Sequence, residues 1–339
     1  MASTSADVPK LIGARVKRRE DPRLITGHAQ YVDDLQPARC VHMAVRRSEY
    51  AHARIVRIDT EAAKAMPGVL GVYTAEDVSE IPSLPAAPAT PDTRLAPRPV
   101  LASGKVRYVG EPIAVVVAED RYSARDAVDA IEVEFEELPA VTDLEEAMKP
   151  GAPVIHEHAP DNVAYYWAID NGDADAAFAQ AEVTVKQQML SQRLIGLPME
   201  PRAMLAEWQP AEEQITLWTS TQIPHLLKPN LAGLLGIPEH KVRVVAPEVG
   251  GGFGVKLDIY PEELLCAALA RRLQRPVKYM ESRAENFATT VQGRGQLGEV
   301  ELAATKDGKI LGMRWKVLGD MGAKLMKIGK AMPTQTIGR

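Results

Sequence analysis

The stretch "VRVVAPEVGGGFGVKLDIYPEELLCAALARRL", residues 242–273, carries the strongest structural signal in the sequence. A run of β-branched residues leads into three consecutive glycines, a phenylalanine and a fourth glycine, and a helical pattern follows. The pattern predicts a helix from about Pro261 to Arg272, because proline suits a first helical position and two glutamates follow it at the positive end of the helix dipole. The apolar stripe of this helix repeats every four residues, at Leu265, Leu269 and Leu273.

The glycine turn, residues 249–256, does not match two common phosphate-binding motifs. A P-loop needs a serine or threonine directly after its lysine, and here Leu257 follows Lys256. A dinucleotide fingerprint that begins at Gly250 and Gly252 needs a glycine where Val255 stands. From these residues alone, a purely structural turn and a turn whose backbone N–H groups approach a ligand both remain open.

The bulk properties are those of a globular protein with more than one core. At 339 residues the chain is long enough for two domains, and its contents of 46% hydrophobic and 25% charged residues are ordinary for that class. A net charge of −5 gives no electrostatic reason to expect a nucleic-acid partner. No stretch is long and apolar enough to predict a membrane span.

The two cysteines favour a reducing compartment. Cys40 and Cys266 are far apart in the sequence, and Cys266 lies in the apolar stretch "ELLCAALA", which predicts a buried thiol. A structural disulfide is therefore not expected. Because the first residues contain no apolar leader, we expect the protein to be soluble and cytoplasmic.

Two proline-rich segments divide the chain. Residues 79–100 are too rich in proline for long regular structure and predict a long surface loop inside the first domain. Residues 147–162 contain three prolines and one glycine close together and predict a domain boundary. We therefore expect one domain over residues 1–148, which includes an N-terminal extension and the loop 79–100, and a second over residues 149–339.

The pattern of elements differs on the two sides of this boundary. Before it, a buried strand (112–120), a helix (123–131) and a second strand (131–138) predict an α/β unit, in which three alternating glutamates form one solvated sheet face. After it, Pro229 predicts that a helix ending near Gly236 either starts at that proline or is kinked there. Further strands are predicted in the segments 181–192, 202–209, 214–221, 241–249 and 277–282, and residues 300–320 predict a hairpin that turns at Asp307 and Gly308.

Several longer motifs resemble one enzyme family in the same order along the chain. Together they resemble the molybdopterin-binding large subunit of the molybdenum hydroxylases, the family of xanthine dehydrogenase, aldehyde oxidase and aerobic carbon monoxide dehydrogenase. The resemblance covers nearly everything from Ile12 to Ala323. It is carried by "TSTQIPH" (219–225), "VGGGFGVK" (249–256), "RPVKYMESRAENF" (275–287), "QRLIGLPMEPRAMLAEW" (192–208), "RREDPRLITGHAQYVDDL" (18–35), "RRSEYAHARIVRIDT" (46–60), "PGVLGVYTAEDV" (67–78) and the segment 106–143.

This resemblance implies an α+β fold with an N-terminal α/β hammerhead domain, followed by an incomplete molybdopterin-binding domain. It implies that the side-chain amide of Gln222 donates to an oxygen ligand on molybdenum, and that backbone N–H groups around Phe253 and Gly254 meet the cofactor. No side chain of this chain is expected to bind the metal directly. The residues expected to bind the cofactor are Gln222, Gly251, Gly252, Phe253 and Gly254.

The resemblance also implies cofactors and partners. The cofactor would be molybdenum–molybdopterin in its dinucleotide form, with FAD and [2Fe–2S] clusters on partner subunits. The family's large subunits are more than twice as long, and the loops with the catalytic arginine and the late glutamate have no counterpart here, so no complete catalytic set is expected. A separate chain supplying the C-terminal half, an FAD subunit and an iron–sulfur subunit are the expected partners.

Three interpretations follow from that length: a split enzyme, a truncated inactive fragment, and a binding or assembly module without redox chemistry. Intact glycines and Gln222 favour the first interpretation, whereas the abrupt ending of the resemblance favours the second. Leu257, where purine-oxidising members place a glutamate, argues against a xanthine-type substrate.

Four further polar residues are weaker candidates. Glu200 and Arg202 in "MEPR" are expected to have a structural ion-pair or hydrogen-bond role. For Lys256, a role toward an anion and a solvated surface position both remain open. His156 and His158 have a spacing that metals can use, but two ligands in a proline-rich segment favour a linker.

Overall fold

The computed structural model describes residues 12–86 and 88–326 of the chain. The strands in these residues, numbered in chain order, are β1 (Val41–Arg47), β2 (Ala53–Asp59), β3 (Val69–Thr74), β4 (Lys105–Val106), β5 (Pro112–Ala118), β6 (Glu132–Glu137), β7 (Val183–Ser191), β8 (Leu194–Ile195), β9 (Ala203–Gln209), β10 (Gln214–Thr219), β11 (Val242–Val245), β12 (Val277–Met280), β13 (Gln292–Gly293), β14 (Gln296–Ala304) and β15 (Ile310–Gly319). The α-helices are α1 (Asp21–Ile25), α2 (Glu61–Lys64), α3 (Arg121–Asp129), α4 (Leu144–Ala147), α5 (Ala174–Ala179), α6 (Pro224–Leu235), α7 (Pro261–Leu273) and α8 (Arg283–Thr289).

The largest sheet has seven strands in the order β11-β10-β9-β12-β1-β5-β3. Only the β1–β12 and β10–β11 pairs are parallel, whereas every other pair in the sheet is antiparallel. This mixture of helices with a mainly antiparallel sheet confirms the predicted α+β class. The sheet also crosses the boundary expected after residue 148, because β1 of the first part pairs with β12 of the second, with Val41 opposite Val277. The boundary itself stays a prediction.

Strand β5 is buried along its whole length because its two faces enter different cores. Val115 and Val117 face the main core, whereas Ala114 and Val116 pack with α3 in a second core. This arrangement explains why the strand reads as a continuous apolar run rather than an alternating one.

Helices α6 and α7 cover the main core. Helix α7 runs from Pro261 to Leu273, within one residue of the prediction, and Leu265 and Leu269 of its stripe are fully buried. Helix α6 ends before Gly236, as predicted, and Gly236 adopts a left-handed conformation with φ of 65°. Of the two alternatives given for Pro229, a helix start is wrong, since α6 begins at Pro224 and continues through that proline.

The described residues of the proline-rich segment 79–100 are irregular, as predicted, but they are not wholly on the surface. Leu84 and Val100 are buried in the main core. The guanidinium of Arg98 is buried too, and its Nη2 donates to the carbonyl of Ile259 at 2.8 Å. The predicted surface loop is therefore partly a core segment, since two apolar residues and one hydrogen-bonded arginine hold it against the sheet.

Three smaller sheets accompany the large one, and the smallest is the antiparallel pair of β8 and β13. Strands β4, β2 and β6 form one sheet, in which the three alternating glutamates of β6 are exposed, as predicted. Strands β15, β14 and β7 form another, here called the hairpin sheet. Its β14–β15 hairpin turns at Asp307 and Gly308, as the sequence predicts. Within residues 12–86 and 88–326, no helix combines the length and apolarity that a bilayer span requires.

Candidate functional site

The sheet brings Gln222 and the glycine turn to the same edge. Strands β10 and β11 are parallel neighbours, so their carboxyl ends lie side by side. Gln222 follows the end of β10 by three residues, and the glycine turn follows the end of β11. Two motifs that are about thirty residues apart in the sequence therefore meet because of strand pairing, a position where open sheets commonly build their sites.

The glycine turn depends on backbone conformations that favour glycine. Gly251 and Gly254 have φ angles of 96° and 87°. Phe253 also has a positive φ, 50°, which is unusual for a residue with a side chain and is found more often at functional sites. The turn closes with a hydrogen bond of 2.9 Å from the N–H of Val255 to the carbonyl of Gly252.

Two of the glycines make room for side chains of this chain itself. A Cβ on Gly250 would lie 2.5 Å from Cβ of Glu200, and a Cβ on Gly252 would lie 2.5 Å from Cδ of Gln222. The same position on Gly254 meets nothing within 4 Å. The glycines at 250 and 252 are therefore needed for internal packing, whereas the side of the turn at Gly254 is open.

Gln222 is bound to the turn through both its backbone and its side chain. Its N–H donates to the carbonyl of Lys256 at 2.9 Å. Its Oε1 accepts from the N–H of Gly254 at 2.9 Å and from that of Lys256 at 3.3 Å. Two N–H donors can only face the oxygen of the amide, so the Nε2 group must point away from the turn. Gln222 is exposed, so Nε2 is free to donate outward.

The N–H groups at the apex of the turn are not used inside the described part of the chain. There, the backbone N–H groups of Gly251, Gly252 and Phe253 have no hydrogen-bond acceptor, whereas that of Gly254 donates to Gln222. The side chain of Phe253 is 73% exposed. The turn thus has three backbone donors without an acceptor in the described residues, beside one amide donor and an exposed aromatic ring.

Lys256 is buried, so the solvated position left open for it is wrong. Its side chain is 0% exposed, and its Nζ lies 2.9 Å from Oε2 of Glu200. Burial lowers the pKa of Lys256, and the carboxylate of Glu200 offsets part of that effect. The same Oε2 accepts the N–H of Gly250 at 2.8 Å. One carboxylate therefore binds the first glycine and the lysine of the turn.

Arg202 lies in a buried charge cluster beneath the turn. Its Nη1 donates to Glu262 at 2.9 Å, and its Nε donates to Glu281 at 2.9 Å. Arg47, from the first part of the chain, donates to the same Glu262 at 2.6 Å. These four residues, Arg47, Arg202, Glu262 and Glu281, are called the buried junction below. The expected ion-pair roles of Glu200 and Arg202 are confirmed, although the two do not pair with each other.

The buried junction contains residues that the sequence did not single out. Burial alone would raise the pKa of Glu262, but Arg202 and Arg47 outweigh it and hold that pKa well below its usual range. The sequence placed Glu262 at a helix dipole, since a glutamate near a helix start has an ordinary local role. Both glutamates lie in the first turn of α7, as predicted, and Glu263 also caps the helix, as its Oε2 accepts the N–H of Tyr260 at 3.1 Å. Tyr260 joins the junction to the turn, since its ring stacks on Arg202 and its hydroxyl donates to the carbonyl of Val255 at 2.6 Å.

The remaining candidates lie apart from this site. The rings of His156 and His158 are 5.5 Å apart, and His156 contacts the carbonyl of Ala323. Across the described ranges, no group of three side chains could hold a metal ion. Leu257 packs against the main core.

Comparisons with known proteins connect this geometry to one family. Residues 155–339 match the family model described as the molybdopterin cofactor-binding domain. Residues 26–139 match the model described as the aldehyde oxidase and xanthine dehydrogenase a/b hammerhead domain.

Three relatives illustrate the similarity and its extent. The carbon monoxide dehydrogenase large chain of Hydrogenophaga pseudoflava is 42% identical over 322 residues, which cover 91% of this chain and 40% of the relative. The nicotinate dehydrogenase large molybdopterin subunit of Eubacterium barkeri is 32% identical over 314 residues, 93% of this chain and 71% of that subunit. The structure of quinoline 2-oxidoreductase from Pseudomonas putida 86 superposes with a TM-score of 0.85 at 40% identity, over 89% of this chain and 38% of that one.

Proposed function

The chain belongs to the molybdenum hydroxylase family, as the amino-terminal part of its molybdopterin-binding large subunit, and on that premise we propose that it forms one wall of the molybdopterin site in a molybdenum-dependent hydroxylase of the aldehyde oxidase or carbon monoxide dehydrogenase type. The chain spans about 40% of the length of relatives such as the Hydrogenophaga large chain. The observation that carries the proposal is the orientation of Gln222, whose Oε1 is used by the turn and whose Nε2 faces outward.

The residues at the turn fit such a cofactor. Molybdopterin and its metal end are rich in oxygen and sulfur atoms that accept hydrogen bonds, and this edge of the sheet has four donor groups that the described part of the chain does not use. The Nε2 of Gln222 would hold the metal end, and the N–H groups of Gly251, Gly252 and Phe253 would hold the cofactor beside it. Gly254 would contribute open space rather than a donor, because its N–H is already bound to Gln222.

The bound cofactor would supply the two-electron chemistry, and this chain would supply orientation. Lys256 would not reach the cofactor, because its ammonium is buried against Glu200. Leu257 would not reach the substrate either, since it packs in the core, and this agrees with a substrate outside the xanthine type.

The partner that completes the large subunit would cover an open apolar face of the hairpin sheet. Strand register places one set of side chains on the same face, and Arg314 on the opposite face stacks on Phe178 of α5. Four members of the open face are 44 to 55% exposed, a large apolar area for a surface that has no partner. The apolar members of the face are Val185, Met189, Val300, Leu302, Met313, Trp315 and Val317, and Gln187 lies among them.

The finer parts of the proposal concern the assembly. The cofactor would be in its dinucleotide form, and separate subunits would carry FAD and [2Fe–2S] clusters that remove the electrons. Two relatives are named as a large chain and a large molybdopterin subunit, which supports a multi-subunit enzyme. Two free thiols, Cys40 and Cys266, agree with a cytoplasmic location.

The test is the molybdenum content of the protein purified from its native host, together with the intact masses of all chains that co-purify. We expect near-stoichiometric molybdenum and a second chain that supplies the rest of the large subunit. Gln222→Ala should lower the molybdenum content, whereas Gln209→Ala, an exposed glutamine at the far end of β9, should not. A lone 36.9 kDa chain without molybdenum would overturn the proposal in favour of an inactive fragment or an assembly module.

A further inference from the structure

Glu200 contacts both ends of the glycine turn. Its backbone N–H donates to the carbonyl of Gly250 at 3.1 Å, and its Oε2 accepts the N–H of Gly250 at 2.8 Å. The same Oε2 lies 2.9 Å from Nζ of Lys256, six residues further along. No other side chain in the described ranges bonds to both residues. Glu200 thus links the first glycine of the turn to its last residue. These contacts of Glu200 with Gly250 and Lys256 are called the clasp below.

The ammonium of Lys256 depends on this contact. Its side chain is fully buried, and Glu200 is its one ion-pair partner among the described residues. Desolvation strongly disfavours a buried ammonium without a partner, so Lys256 would either lose its proton or move its side chain toward water. Movement of the side chain toward water would displace the backbone of Lys256.

The backbone of Lys256 in turn sets the position of Gln222. The carbonyl of Lys256 accepts the N–H of Gln222 at 2.9 Å, and its own N–H donates to Oε1 of Gln222 at 3.3 Å. The side-chain amide of Gln222 is exposed, and the hydrogen bonds that hold its orientation come from Gly254 and Lys256. A shift of Lys256 would therefore release the amide to rotate.

We propose that Glu200 is a positioning residue for the cofactor: through Lys256 it holds the glycine turn in the shape that turns Nε2 of Gln222 outward. The inference rests on the proposed function for the role of Nε2, but the clasp itself rests on the contacts of Glu200 alone. A carboxylate is required because it neutralises the buried ammonium and accepts the glycine N–H at one oxygen.

The experiment uses the complex as purified from the native host, with Glu200→Gln as the main variant. Glutamine has the same shape and can still accept the N–H of Gly250, but it leaves Lys256 without a counter-charge. Glu119→Gln is the matched control, because Glu119 pairs with Arg275 at an exposed position away from the turn. The double variant Glu200→Gln/Lys256→Met removes both charges and should restore the turn, since replacing both partners of a buried pair is far less costly than removing one.

Two measurements separate positioning from general stability. Amide hydrogen exchange at Gly250, Gly254, Val255 and Lys256, whose N–H groups are hydrogen-bonded within the chain, should rise by about tenfold or more in Glu200→Gln, while exchange in α7 stays at the wild-type rate. Molybdenum content should fall in the same variant. The double variant should recover exchange protection, and Glu119→Gln should match the wild type in both measurements.

The outcomes distinguish this inference from the proposed function. Unchanged exchange in the turn, or a rise of equal size throughout the chain, would overturn the positioning role even if molybdenum is present. Faster exchange confined to the turn, in a protein that holds no molybdenum in its wild-type form, would support the clasp and refute the proposed function. Faster exchange together with lost molybdenum supports both.

Discussion

The buried junction and the hairpin sheet contain the same kinds of ion pair in opposite environments. In the junction, Arg202 and Glu262 are 3% and 1% exposed and bond through two nitrogen–oxygen contacts. On the hairpin sheet, Lys186 bridges Glu299 and Glu301 at 2.9 Å each, but all three side chains face water. Contact distance does not separate the two regions, whereas burial does.

This comparison shows why contact distance alone is a poor measure of importance. Water screens the hairpin-sheet pairs and solvates either partner if the other is removed, so such pairs contribute little. In the junction no water replaces a lost partner, and the remaining charge stays buried. The junction also connects Arg47 of the first part of the chain to Glu262 of the second, so a loss there loosens the contact between them.

The two glycine turns differ in the same way. Gly308 of the hairpin has a φ of 88° and meets nothing within 4 Å, so only local backbone conformation requires it. Gly252 has no such φ and is required because Gln222, from the segment after β10, occupies the space of its side chain. Gly308 is required by its own backbone conformation, whereas Gly252 is required by a tertiary contact.

The largest effect is expected from Arg202→Met. The substitution leaves Glu262 and Glu281 buried with fewer partners, and we expect a loss of about 3–5 kcal/mol in the free energy of unfolding, measured by urea titration of the purified chain. Arg314→Met on the hairpin sheet is the matched change at an exposed position. It should leave the urea midpoint of unfolding almost unchanged. Equal losses in the two variants would mean that burial does not decide the difference.

A pH-dependent effect is expected next, at Glu263. Burial raises the pKa of Glu263 from 4.5 to about 7, although the N–H of Tyr260 and the hydroxyl of Thr219 act against it. Between these two values the folded state binds more protons than the unfolded state, so this group lowers stability by about 1.4 kcal/mol per pH unit as the pH rises. Glu263→Gln has no such titration, so its stability relative to wild type should increase from pH 5 to pH 7 and then level off. The free energy of unfolding of both proteins is measured by urea titration at each pH. A difference between them that stays constant from pH 5 to pH 7 would contradict the expectation.

A smaller effect on stability is expected from the glycines. Gly308→Ala should cost about 1 kcal/mol because alanine tolerates a positive φ poorly. Gly252→Ala should lower the free energy of unfolding by no more than that, since the exposed amide of Gln222 can move aside. This movement, however, breaks the hydrogen bond between Gln222 and Gly254. Molybdenum content should therefore fall in Gly252→Ala and stay unchanged in Gly308→Ala. Unchanged molybdenum content in Gly252→Ala would show that the shape of the turn does not affect cofactor binding.

The smallest effect is expected from Glu301→Gln. Lys186 keeps Glu299 as a partner, and both groups are solvated, so the unfolding midpoint should not move measurably in low or high salt. A clear destabilisation would show that the hairpin-sheet ladder acts as a network and would weaken the contrast with the junction.

Local patterns predicted the elements well. The start of α7 followed from a proline and two glutamates, and the hairpin followed from an aspartate–glycine pair between two apolar runs. The solvated glutamate face of β6 followed from a period of two. In each case the interactions that decide the structure lie within a few residues, so the sequence displays them directly.

The candidate site was predictable only in part. The family resemblance indicated Gln222 and the glycines, and the structure brings them together at one edge of the sheet. The resemblance could not show that the N–H of Gly254 is taken by Gln222, that Lys256 is buried, or that the loop 79–100 enters the core. These facts depend on contacts between segments distant in sequence, and a lysine or proline has the same letter whether it is buried or exposed.

The sequence by itself therefore determined the class of fold, the approximate bounds of the elements with a strong local pattern and the residues around which a site could form. Only the tertiary structure decided which charges lose contact with water, which glycines make room for a neighbouring side chain, and which atom of Gln222 faces outward. The physical reason is that desolvation and packing are set by the whole surroundings of a group, and these form only when β10, β11 and α7 are assembled.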